Sequence, residues 1–120
     1  MIVVAIIGIL AAIAVPNFVK FSCRSKQSEA KLGLKTLLLA EETYRASNDT
    51  YLHGDPATAM LSRLLVGRVQ RYRYSVPLAS SPHLFTGSAT VISAYEPELR
   101  DDMWQTTQMG GLTNQVPGCR

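Results

Sequence analysis

MIVVAIIGILAAIAVPNFV, residues 1–19, carries no charge, and Asn17 is its only polar side chain. As a helix rising ~1.5 Å per residue the stretch is about 28 Å long, close to the roughly 30 Å hydrocarbon thickness of a bilayer. It is apolar on every face, whereas a surface helix of a soluble domain keeps a polar side. Such a segment belongs in lipid, or in a helix bundle as dry as lipid. The helical pattern runs on, amphipathic, to about Ser47. One long helix therefore begins greasy and ends half-wet.

Gly8 and Pro16 lie inside the apolar part. Pro16 removes a backbone donor and crowds the preceding turn, which predicts a kink or local unwinding. Gly8, Ala11, Ala12 and Ala14 permit close approach of another helix. Two readings stay open: an ordinary kinked anchor, or a helix that packs against its own copies and can stretch. No Lys or Arg precedes the apolar run, so a cleaved signal peptide is not expected. Lys20, Arg24 and Lys26 follow it. Taken alone, that asymmetry puts the rest of the chain in the cytoplasm, unless orienting charges lie upstream of Met1.

From Phe21 onward Ala30, Leu34, Leu37, Leu38 and Tyr44 recur at helical spacing and mark an apolar face. Leu32 and Leu39 widen it, which predicts a cover of two kinds, the protein's own sheet on one side and something else on another. Lys31 and Lys35 are surface neighbours that repel mildly. Ser47-Asn48-Asp49 ends the helix, and Gly54-Asp55-Pro56 signals a turn. Residues 57–66 suit one short helix with Leu61, Leu64 and Leu65 facing inward. Three strand candidates follow: residues 70–77, with Tyr72, Tyr74 and Val76 on one face; residues 83–95, with Gly87 as a bulge or close approach; and residues 102–109. Gly110-Gly111 turns. The fold class expected is α+β, a long N-terminal helix packed on a small antiparallel sheet. Its parts are an apolar helix half (1–22), an amphipathic half (23–47), an αβ loop (48–69), and a sheet head with a C-terminal tail (70–120).

The 120 residues carry a formal charge of +3 and 47% hydrophobic residues, concentrated at one end. No run of like charges marks a nucleic-acid tail. His53 and His83 lack partners at zinc-like spacing, so no metal is expected. Asp101 and Asp102, beside Glu96 and Glu98, lack an EF-hand pattern and read as surface acids before calcium ligands. No glycine-flanked serine nucleophile and no phosphate-cradling loop appear, so neither catalytic residues nor a cofactor is expected. Asn48-Asp49-Thr50 fits an N-glycosylation acceptor. Arg63, Arg68, Arg71 and Arg73 are candidate nucleic-acid contacts, weakly supported by the charge. Tyr72, Tyr74, Phe85, Tyr95 and Trp104 read as core or sheet-face residues.

MIVVAIIGILAAIAVPNFVKF followed by SKQSEAKLGLK closely resembles the N-terminal helix of type IV pilins. The apolar run, Gly8, Pro16, Asn17-Phe18 and the alanine- and leucine-bearing helix occur together and in order. Ala40-Glu-Glu-Thr-Tyr44, Tyr51, Tyr72-Arg-Tyr74 and Asp102-Met-Trp104 are similar more weakly. The resemblance implies a ladle-shaped subunit held in the inner membrane before assembly. The pilus assembly machinery then builds it, with its copies, into a helical surface filament for motility, adhesion or DNA uptake. Gly8, Ala11, Ala12, Ala14 and Pro16 would lie in the filament core, melted between Gly8 and Pro16. A minor pilin or a secretion pseudopilin is the alternative. The family's leader, N-methylated phenylalanine and nearby glutamate would precede Met1, so the chain as given is expected to start downstream of them. Pilins commonly keep both cysteines of a C-terminal disulfide in the head; here Cys23 is in the helix and Cys119 at the tail. An intrachain bond, a buried free thiol and an intermolecular bridge all remain open for them.

Overall fold

The long helix is present as α1, Ile2–Asn48, 47 residues without a break. The computed structural model describes residues 1–65, 71–79, 81–92 and 99–119. The expectations that fell on Val66, Arg68, Gln70, Tyr95, Glu96 and Glu98 lie outside them. Within the single molecule the helix is not unwound at Pro16; the melting between Gly8 and Pro16 that the resemblance implies concerns assembled copies. Proline deprives the Ala12 carbonyl of its donor, while the side-chain amide of the next residue, Asn17, donates to the adjacent Ile13 carbonyl at 3.1 Å. Along the second half Ser28, Thr36, Thr43 and Ser47 likewise donate to carbonyls four residues back, which settles their hydroxyls within the helix. Asp49 stops α1 in the left-handed conformation (φ 59°), its N–H donating to the Arg45 carbonyl at 2.7 Å.

The turn expected at Gly54-Asp55-Pro56 is the start of α2, Asp55–Leu64, with Gly54 as its N-cap and Pro56 in the first turn, where a missing N–H costs nothing. Leu61 and Leu65 are buried, but Leu64 is 51% exposed, against the expectation that it faces inward. Leu61 and Leu65 are one helical turn apart and share a face; Leu64 is rotated about 100° from Leu65 and clears the core.

Four strands, not three, follow: β1 Tyr72–Ser75, β2 Thr86–Val91, β3 Met103–Thr107 and β4 Leu112–Val116. They form an antiparallel meander in chain order. β4, LTNQV, is an edge strand with little to bury, hence its weak apolar signal. Gly87 lies in regular register opposite Thr106, so it is no bulge; a Cβ there would stand 2.7 Å from Leu37 Cδ2.

The sheet lays Tyr72, Tyr74, Phe85 and Ala89 on the Ala30, Leu34 and Leu37 face of α1. Gly33 is the contact point for Tyr74, whose phenol occupies the space a Cβ would take. That phenol donates to the Glu29 carbonyl at 3.2 Å. Tyr51 caps the far end of the core, its ring 5.5 Å from that of Phe85. The molecule measures 71 × 27 × 23 Å, and its length is that of α1, since 47 residues at ~1.5 Å reach about 70 Å.

Candidate assembly interface

Every residue from Met1 to Phe21 is exposed, so the head covers none of the apolar segment. Ile2, Ile6, Ile9, Leu10, Ile13 and Phe18 all stand at least half exposed. A contiguous apolar surface of this size has no counterpart on an ordinary soluble monomer. By length and composition α1 suffices to cross a membrane. Gly8, Ala11, Ala12, Ala14 and Pro16 share this open segment, and a Cβ at Gly8 would meet nothing within 4 Å. Farther up, Leu32 (49%) and Leu39 (69%) extend an uncovered apolar ridge beside the head.

The head begins abruptly at Cys23, which is bonded to Cys119 with Cα atoms 5.9 Å apart. The tail is pinned beside this bond. Gly118 packs so tightly on the Leu99 carbonyl that no side chain could be added there. Its N–H donates to Asp102 Oδ1 at 2.9 Å.

Asp102 is the hub of the foot of the head. Read from sequence as a surface acid, it is fully buried instead. Its carboxylate also accepts from Gln27 Nε2 (2.9 Å), the Tyr72 hydroxyl (2.6 Å), Trp104 Nε1 (2.9 Å) and Asn114 Nδ2 (3.2 Å). One side chain thus ties α1, β1, β3, β4 and the tail together. A buried carboxylate is tolerable only with such a set of donors. Burial first, then the bond to Asp102, push the Tyr72 phenol far above its ordinary pKa, so it remains a donor. The signal for this hub was Gln27, a polar residue on the same helix face as Cys23, Ala30 and Leu34, where only a partnered group can sit.

Other charges are spent locally. Glu29 holds Arg71 twice, accepting from its backbone N–H (2.7 Å) and its guanidinium (2.8 Å). Of the arginines set out as nucleic-acid contacts, Arg71 is therefore engaged and Arg68 lies outside the described residues. Lys31 sits over the Trp104 ring, 4.6 Å from its centroid. Glu41 is buried with Oε2 accepting from Leu52 N–H at 2.8 Å and Oε1 unpaired; burial raises its pKa. Among the described residues no group of three or more His, Cys, Asp and Glu side chains is placed to hold a metal ion. His53 is half-buried and His83 exposed, on different segments. Asn48 ends α1, its side-chain amide donating to the Tyr44 carbonyl at 3.0 Å.

No family model and no solved structure matches the chain. Over 51 residues, 42% of its length, it is 65% identical to the type IV major pilin protein PilA of Myxococcus xanthus (strain DK1622), and the match spans 23% of that protein. With this stretch of likeness, a long apolar N-terminal helix laid on an antiparallel sheet makes the chain pilin-like.

Proposed function

We propose that this chain is a structural, non-enzymatic subunit of a type IV pilus that polymerises through α1. The observation that carries the proposal is the wholly uncovered segment from Met1 to Phe21. Such a surface persists only in lipid or against other apolar helices. The subunit accordingly waits in the inner membrane and then trades lipid for the matching segments of its copies, with Gly8, Ala11, Ala12 and Ala14 as the points of close approach. The pilus assembly machinery drives that exchange, and the product is an extracellular filament serving motility, adhesion or DNA uptake. The likeness to a protein named as a major pilin favours the main filament subunit over a minor pilin or pseudopilin.

Ala12→Glu tests the proposal. The charge lies on a residue that touches nothing in the head, so the head keeps its fold and its disulfide while sheared surface filaments disappear. Normal filaments built from this variant would refute assembly through α1.

A further inference from the structure

The apolar segment gives way to charge at Lys20, and the head starts three residues later at the Cys23–Cys119 bond. With residues 2–19 spanning the hydrocarbon, Lys20 stands at its edge and Arg24 about 6 Å beyond, within the headgroup layer of roughly 5–8 Å. Both side chains are exposed. The disulfide, with Gly118 packed on the Leu99 carbonyl, brings the turn 99–102 down to the same level. On that turn Arg100 is exposed. Against these cations the described residues at this level offer one exposed carboxylate, Asp101, because Asp102 is enclosed by its donors. Glu29, the first acid on α1, is bound to Arg71. Among the described residues the foot of the head thus presents a basic collar where the helix leaves the bilayer, with Lys20 and Arg24 one turn apart on one helix face.

We infer that Lys20, Arg24 and Arg100 form a docking surface for anionic phospholipid headgroups. The collar would gather an annulus of such lipids around the waiting subunit and seat the head flush on the membrane. This inference rests on the membrane residence proposed above. Cations held near an anionic surface bind it strongly enough to sort lipids, and the attraction fades with salt over the Debye length.

The test uses the full chain in vesicles of phosphatidylcholine containing one fifth phosphatidylglycerol. Spin-labelled forms of each lipid report the fraction immobilised on the protein. The expected result is a phosphatidylglycerol preference of about threefold or more at low salt. It should fall towards parity in molar salt and in the triple variant Lys20→Gln/Arg24→Gln/Arg100→Gln. Equal association of the two lipids with the unaltered chain would overturn the inference, as would a preference that molar salt leaves intact or that the triple variant retains. Acidic faces of sister copies would then be the better partner for these cations. A chain that does not float with the vesicles would overturn the membrane reading as well, which separates the two failures.

Discussion

Asp102 shows how one residue can set the geometry of five segments. Removing it leaves the donors of Gln27, Tyr72, Trp104, Asn114 and Gly118 facing one another in a dry cavity. Asp102→Ala is expected to lower unfolding stability by about 3 kcal/mol or more, measured by denaturant titration of the oxidised protein. Asp102→Asn should fall between the two, since its amide keeps one acceptor but turns a donor towards donors. Glu41 is the opposite case, a buried carboxylate with a single bond. Its folded pKa is raised above the ordinary 4.5 by burial, with the Leu52 N–H opposing. A raised carboxyl favours the fold at pH below its unfolded value and loses that contribution as pH climbs through the folded value. Glu41→Gln should therefore be more stable than the parent at neutral pH, with the gap closing in acid below about pH 4.5. A gap that widens in acid would contradict the assignment.

Among the elements, α1 was legible because two signals agree along it. The first half is apolar all round, and the second repeats Ala30, Leu34 and Leu37 on one face; both were read correctly, as was the inward alternation of Tyr72 and Tyr74 on β1 and Val76 just beyond it. β4 was not legible, because Thr113, Asn114 and Gln115 at a sheet edge carry no burial pattern. Leu64 misled because hydrophobicity alone does not say which of two adjacent leucines turns inward. Pro16 does not interrupt α1 within the single molecule, where one missing N–H sits beside an Asn17 amide bonded to the Ile13 carbonyl; melting in a filament is a property of assembled copies. The foot of the head stayed hidden for another reason: Asp102 and Gln27 are 75 residues apart, and no local pattern connects them. Gly8 offers a test at this scale. Within the single molecule a Cβ there meets open space, so Gly8→Ala should strengthen the detergent-solubilised helix by up to about 1 kcal/mol. If copies pack against Gly8, the same change lowers filament yield; undiminished filaments would remove Gly8 from the contact.

At the scale of the whole molecule, a ladle 71 Å long exposes its apolar handle and holds its bowl by a covalent clasp at the rim. The clasp joins residues 96 apart, and closing a ring of that size removes denatured-state entropy equivalent to about 4–5 kcal/mol in the chain-entropy view. Reduction should lower the thermal midpoint of the head while leaving α1 helical, which circular dichroism with and without reductant would show. The clasp also decides how the molecule bears tension. Pulled lengthwise, the oxidised chain can pay out only the handle ahead of Cys23, about 75 Å at full stretch, because the sulfur bridge carries the load past every residue between the two cysteines. Once reduced, the same chain has roughly 400 Å of slack. Single-molecule force extension would read the difference as one short tether becoming a long one.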